Sequence, residues 1–597
     1  MAEKQFFKQR HQNFDFLTRS WQGKYKYIAF LRVVVFLIGS VAAIYFANNR
    51  DASLTFLALF ISGAVFLFLV SRHNKIRYER DQARFMAEIN EKEIKRLEGN
   101  LSGLDNGSEF IDDNHPYSSD LDMFGQHSLY QLVNRTSTTS GRIKIASWLR
   151  NRAPREELGH RQEAIDELAS ENDWRQEFQA SAMHYSQSGS DLTGFYDWLH
   201  TPSTVYSNTF LNGLKILLPC ITLTALAGLI WFHLPYYWFI LSLFLNGLVL
   251  SRVFQLLKTT GEYTSKSVHD IKAYYALIIK AEQKDFRCDY LRKLQKNLVE
   301  NSLLASGQIH LLNRYLQWFE VRANSFYFLL NLIFLLDIHL LSKAERWKED
   351  NSKRVYAWID TIATLEAVCS LAGTLFTHNE FNLPEIGFAY KLEISEGGHP
   401  LIARKERICN DFVMEEKGTV IIITGSNMSG KSTFLRTLGI NLVLGLAGGP
   451  VCAKKATIPY VRLFSGMRTT DNLVEHISSF YAELKRIRQL LDLLDTSEEP
   501  VFYLLDEILK GTNSKDRHKG AEALIHQLAG NNCIGLVSTH DIALGELAGK
   551  TDHVSNFSFS SKIINDEIEF DYKINPGICK SFNASKLMEN MGIIFPY

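Results

Sequence analysis

Three short runs in the last third of the chain carry side chains suited to handling a triphosphate. Gly425-Ser426-Asn427-Met428-Ser429-Gly430-Lys431-Ser432 has the spacing of a phosphate-cradling loop: a glycine, four variable positions, then Gly-Lys-Ser. Glycine lets the backbone curl so that its N–H groups face an anion, and a helix starting there adds partial positive charge. This assigns the loop from Gly425 through Thr433 to phosphate, Lys431 to the β- and γ-phosphates and the Ser432 hydroxyl to Mg²⁺. In the second run, Asp506-Glu507, the first acid suits the metal shell and the second can orient and deprotonate an attacking water. The third run, Thr539-His540-Asp541, offers His540 as a hydrogen-bond partner that reports whether a γ-phosphate is present.

These residues need strands to aim them. Val420–Thr424 runs straight into the loop, and a helical pattern follows from Thr433 to Leu446. Val501–Leu505 ends at the acidic pair, and Cys533–Ser538 ends at the histidine. From about residue 385 the texture is that of an α/β domain.

Upstream the chain is mostly helical and twice strongly apolar. Val33–Ala47 is uncharged, and with Tyr27–Leu31 it reaches spanning length, Arg32 being placed to snorkel. Ala52–Val70 follows after a link of Asn48, Asn49, Arg50 and Asp51, which predicts a transmembrane hairpin. Ile216–Leu250 contains no Asp, Glu, Lys or Arg, and it breaks at His233-Leu234-Pro235 beside Trp231, Tyr236, Tyr237 and Trp238, as a second hairpin with interfacial aromatics would. Buried core helices are the alternative, chiefly for this second pair with its Pro219 and Asn246. Lys and Arg flank the first hairpin on both sides, at Lys24 and Lys26 before it and Arg72 and Lys75 after it, so both flanks are expected in the cytoplasm of a multi-pass protein of the cytoplasmic membrane. Phe326–Leu341 holds Asn331, Asp337 and His339 and reads as a buried soluble helix. Residues 79–98 read as a solvated helix, and Leu101–Pro116 as a linker.

The 597 residues demand several domains. Lys plus Arg equals Asp plus Glu at 65 each, so no overall field draws nucleic acid; Arg252–Glu300 has a mild basic surplus that suits phosphates or simply a solvated face. The seven cysteines form no CxxC pair, which excludes a disulfide scaffold or zinc ribbon.

Together, TGSNMSGKSTFLRT, LLDEILKGTNSKD and STHDIALGEL resemble the ATPase domain of MutS-type mismatch-repair proteins, and Ser478-Ser479-Phe480-Tyr481-Ala482-Glu483 looks like that family's counterpart of the ABC signature. Asp120–Phe124, Asn134-Arg135-Thr136, Gly141-Arg142, Trp148–Arg150 and Arg161–Ala164 are similar to its helical core. The resemblance implies ATP with Mg²⁺, a homodimer with two sandwiched nucleotides, Ser478 or Ser479 acting in trans, and Gly511–Asp516 crossing the same interface. His399-Pro400-Leu401 and Ile408–Asp411 resemble the stretch that packs on adenine. The family's mismatch-sensing domain carries a Gly-x-Phe-Tyr-Glu wedge. Here the N-terminus is a membrane hairpin, and Gly194-Phe195-Tyr196-Asp197 is a lookalike inside the helical region. The second hairpin falls near where the family inserts its DNA clamp.

The expected fold is thus an α/β P-loop ATPase domain of ABC/MutS type, preceded by an all-α core and lever region with two transmembrane helical hairpins. The boundaries are a cytoplasmic segment at 1–26, hairpin one at 27–70, helix and linker at 71–115, core at 116–213, hairpin two at 214–250, lever and core at 251–396, and ATPase at 397–597. The expected function is a membrane-anchored ATPase whose dimer closure moves levers, with DNA, mispaired DNA included, and an unidentified protein as candidate partners. A nucleotide-gated scaffold or tether and an ABC-like transporter are the alternatives.

Overall fold

The structure, a computed structural model, describes residues 2–185, 192–265, 267–300, 303–322, 325–387, 390–468, 479–564 and 567–579. It opens with two long antiparallel helices, α1 (Ala2–Asn48) and α2 (Ala52–Leu97). Asp51 caps α2 by accepting from the Leu54 N–H at 3.0 Å, which supplies the turn between them. A Cβ on Gly39 would collide with Ser62, so the glycine lets the two helices approach closely. Only 6% of the apolar stretch in α1 and 0% of that in α2 is buried within the chain. Both helices run well past the apolar segment. The distal part of α2 is not the solvated helix its alternating charges predict, because Met86, Ile89, Asn90, Glu93 and Arg96 are buried against the core. Nor is Leu101–Pro116 a loose linker: Leu101 and Leu104 are buried, and the Gln131 side-chain amide donates to both their carbonyls.

The helical core is built from α3 (Thr139–Arg150), α4 (Arg155–Ser170) and α5 (Asn172–Met183). The chain then leaves it as α6 (Thr209–Trp231) and α7 (Tyr237–Ser265) and returns through α8 (Val268–Gln283), α9 (Ala305–Val321), α10 (Ser325–Phe334) and α11 (Leu336–Thr377). Pro219 lies inside α6 and has no N–H for the Lys215 carbonyl, which instead accepts from His339 Nε2 at 3.0 Å. Asn246 of α7 is buried and donates to Thr222 of α6 at 3.0 Å. Phe326–Leu341 is not one buried helix. It breaks at Leu335, which has φ 50°, and only the α11 side of the break is mostly interior.

Two sheets complete the chain. The strands are β1 (Glu385–Ile386), β2 (Leu392–Gly397), β3 (Asn410–Met414), β4 (Val420–Gly425), β5 (Lys455–Ile458), β6 (Arg462–Gly466), β7 (Val501–Asp506), β8 (Cys533–Thr539), β9 (Val554–Ile564) and β10 (Glu567–Pro576). A small sheet has the order β1-β5-β2-β3, and the main sheet β10-β9-β4-β8-β7-β6. All neighbours in the main sheet are parallel except β10, which closes one edge antiparallel to β9.

Strand residues alternate between two cores. Ile421, Ile423, Phe502 and Leu504 join the core shared with the helical region, and α12 (Lys431–Leu446) lies between sheet and helices on that side. A Cβ on Gly439 of α12 would come within 2.8 Å of both Leu121 and Leu504. Val420, Ile422, Val501 and Tyr503 face α13 (Ser479–Thr496) and α14 (Ser514–Leu528) on the other side. Asp120 adds a polar tie between helical core and sheet, accepting from Ser465 Oγ at 2.6 Å and from the Met467 and Arg468 N–H groups. The helix that starts at the loop is therefore packed directly on the helical core.

Candidate nucleotide site

Strands β4, β8 and β7 are adjacent and in register, with Thr424 opposite Thr539 and Asp506 opposite Ser538. Their carboxyl ends bring the 425–432 loop, His540 and the Asp506-Glu507 pair to one edge of the sheet, where parallel α/β sheets place their ligand crevices. Gly430 caps α12 with φ 105°, and Met428 has φ 65°, so the loop makes the left-handed turns that its glycine content favours. Asn427 and Met428 are exposed, whereas Ser426, Ser429 and Lys431 are buried; Ser432 and Thr433 occupy the first turn of α12.

The sequence-assigned groups touch one another. Lys431 Nζ donates to the Gly425 and Ser426 carbonyls at 2.9 Å each and lies 3.4 Å from His540 Nδ1. Burial lowers the Lys431 pKa, opposed by the nearby Glu507 and Asp506 carboxylates. His540 Nδ1 faces the Gly425 carbonyl at 3.0 Å, and Nε2 lies 2.5 Å from Glu507 Oε1. The other Glu507 oxygen takes a salt bridge from Lys510 at 2.8 Å. These contacts, led by the His540 hydrogen bond, hold the Glu507 carboxyl down at about 2 against the opposing effect of burial. Asp506 accepts from the Ser538 hydroxyl.

The residues fit a triphosphate and its metal. Ser429 Oγ is buried with no hydrogen-bond partner, beside amides at a helix start, as a phosphate-binding hydroxyl would be. Among the described residues no cluster of three or more His, Cys, Asp or Glu side chains gathers around a metal. Mg²⁺ keeps water and phosphate oxygens and needs only one or two protein ligands, which Ser432 and Asp506 would supply.

The structure adds supporting contacts that sequence reading did not assign. Lys510 escaped notice because only the fold aims it at Glu507. Glu483 accepts from the Leu509 and Lys510 N–H groups, and Phe480 packs so close to Gly511 that a side chain there would collide. The start of α13 is thereby pinned to the turn after the acidic pair. That turn is strained, with Glu507 at φ 50° and Leu509 at φ 60°. Tyr572 lies against the loop, 3.1 Å from where a Gly430 Cβ would sit. Of the residues assigned to act in trans, Ser478 lies outside the described residues, and of Ser479 only its place at the start of α13 is described. In the adenine-packing candidate, His399 is buried and Ile408 is exposed.

Comparison with known proteins singles out the same region. Residues 421–591 match the model of MutS domain V. The chain is 31% identical over 254 residues to a DNA mismatch repair protein MutS of Clostridium botulinum (strain Okra / Type B1), covering 41% of this chain and 27% of that protein. It is 28% identical over 248 residues to the MutS of Natronomonas pharaonis, covering 40% of this chain and 28% of the relative. It is 32% identical over 216 residues to that of Fusobacterium nucleatum, covering 35% of this chain and 23% of the relative. The matches thus span about a quarter of the length of these relatives. The C-terminal part of the chain, which carries the loop, the acidic pair and the histidine, is thus similar to MutS domain V and to the MutS proteins that share it.

Proposed function

We propose that the protein is a membrane-anchored ATPase that binds ATP with Mg²⁺ at residues 425–433, hydrolyses it in a composite dimeric site, and uses the closure to move its helical levers. One observation carries this reading: Lys431, His540 and Glu507 converge at the ends of neighbouring strands beside the loop. Lys431 would exchange its two loop carbonyls for phosphate oxygens. Ser432 and Asp506 would hold the metal, which when bound supplies charge neutralisation on the β- and γ-oxygens. A Glu507 carboxyl held at about 2 is a poor proton acceptor, so it orients water until Lys510 or His540 lets go. Release is assigned to dimer closure, when the signature serine of a second copy meets the γ-phosphate.

Anchoring rests on the exposed apolar helices α1, α2, α6 and α7, with the basic flanks holding the ATPase domain in the cytoplasm. DNA enters as a candidate partner through the relatives' name, DNA mismatch repair protein, although the match to them is confined to the C-terminal part. The test is turnover by the purified protein in lipid. Lys431→Ala should abolish ATP binding and hydrolysis, whereas Glu507→Gln should keep binding and lower turnover by about 100-fold or more. Unchanged rates in both variants would reject the assignment.

A second reading, a nucleotide-gated membrane tether, is favoured by the engagement of both Glu507 oxygens. It predicts tight ATP binding without turnover in the unaltered protein.

A further inference from the structure

Helix α10 is built inside out. Its inward stripe is polar or polar-tipped: Tyr327 and Asn331 are both buried and converge on Asp337 at the start of α11. Tyr327 OH donates to Asp337 Oδ1 at 2.8 Å, Asn331 Nδ2 donates to Oδ2 at 2.9 Å, and Arg322 adds a salt bridge at 2.9 Å. The outward face is apolar, with Phe328, Leu329, Leu330 and Phe334 at 64%, 58%, 47% and 37% exposed. A helix facing water has the opposite arrangement.

The end of α10 is also sealed by protein groups. The break at Leu335 leaves the last carbonyls of the helix without partners in their own helix. Asn246, buried in α7, donates to the Leu332 carbonyl at 2.8 Å and lies 3.4 Å from that of Ile333. Internal satisfaction of backbone groups is what hydrocarbon demands of a helix end. From Tyr237 at the aromatic turn to Asn246 is about 14 Å along α7, which sets the end of α10 near the middle of a hydrocarbon core about 30 Å thick.

We propose that α10 is a third membrane-embedded element, a short re-entrant helix whose Phe328, Leu329, Leu330 and Phe334 face lipid acyl chains, docked on the second hairpin through Asn246. This deepens the membrane reading above and rests on it. It places the start of α11, a single helix from Leu336 to Thr377, inside the bilayer.

The test places the photo-reactive residue benzoylphenylalanine at Phe328 in the full chain, reconstituted in vesicles of phosphatidylcholine and phosphatidylglycerol. Parallel samples carry it at Phe60 of hairpin one, at Phe244 of hairpin two and at Val413 of β3. All four positions are exposed, so the label need not disturb packing. Phospholipid adducts at Phe328 comparable with those at Phe244, and absent at Val413, are expected. Adducts at Phe60 and Phe244 with none at Phe328, or with a crosslink from Phe328 to a second copy of the chain, would overturn the proposal and leave the anchoring intact. Absence of lipid adducts at Phe60 and Phe244 as well would overturn the membrane reading itself.

Discussion

Glu366 is fully buried in the helical core, where its carboxylate accepts from the Ser137 N–H at 2.6 Å, the Thr138 N–H at 3.2 Å and the Thr138 hydroxyl. Burial outweighs these bonds and pushes its pKa up to about 7. In the unfolded chain it titrates near its ordinary value of 4.5, so between these limits the folded state holds more protons than the unfolded one. Stability contributed by the protonated form is therefore present below about 4.5 and is lost as pH rises through about 7, by an amount on the order of 3 kcal/mol. Glu366→Gln keeps the shape and offers its amide to the Thr138 oxygen, so it should remove this slope. The check is the thermal unfolding midpoint of the detergent-solubilised protein at about pH 5 and about pH 8. The variant should gain most over the parent at the higher pH, and an equal gain at both would show that ionisation is not what the site resists. Glu507 has the opposite sign: its carboxyl, held at about 2, contributes stability above about 4.5 that is lost as pH falls.

At the scale of elements, α2 joins the first hairpin to the core through Glu93. This buried carboxylate accepts from Arg96 and from both Nε and Nη2 of Arg135 at 2.8 Å, and from the Thr377 hydroxyl at 2.8 Å. One side chain thus binds α2 to the end of α11, just before the chain enters the sheets. The two arginines hold the Glu93 carboxyl at about 2 despite its burial. Glu93→Ala leaves two buried guanidinium groups without their carboxylate and should cost about 3–5 kcal/mol. Glu88→Ala on the same helix removes only a half-exposed pair with Lys92 and should cost about 0.3–0.5 kcal/mol. Unfolding midpoints of the two variants separate these outcomes, and similar small losses would show that the joint does not hold α2. The sequence shows α2 as a helix but conceals this joint, because Arg135 and Thr377 reach Glu93 from distant parts of the chain and alternating charge looks the same in water or in a core. The same limit hides α10, whose apolar periodicity is equally consistent with a face turned to the interior or to lipid. The strand–loop–helix around Gly425–Ser432 is legible because its spacing and its flanking elements are local in sequence. Lys510 and Glu483 are not, since their roles exist only once α13 lies against the turn after Glu507.

For the molecule as a whole, the similarity to MutS domain V is confined to the C-terminal part, and what the helical region does is left to be argued. The helix α11 has 42 residues and a length of about 63 Å, with one end at Leu335 beside the second hairpin and the other at the α/β domain. On the proposed membrane reading, a lever so placed would deliver force to the bilayer. The stretch that imitates the family's mismatch wedge is committed to packing: Phe195 is fully buried, and Tyr196 stacks on Tyr356 with ring centroids 5.0 Å apart. Neither ring is disposed to enter a base step. With 65 basic and 65 acidic side chains, the chain also lacks the overall field that draws duplex DNA. We therefore expect ATP turnover by the reconstituted protein to be the same with paired and with mismatched duplex, any response to DNA being an electrostatic one that fades between about 50 and 200 mM salt. The measurement is the ATPase rate without DNA, with paired duplex and with the same duplex carrying one mismatch. Stimulation by the mismatch alone, persisting at the higher salt, would mean that the levers still read DNA and that the hairpins merely tether a repair enzyme.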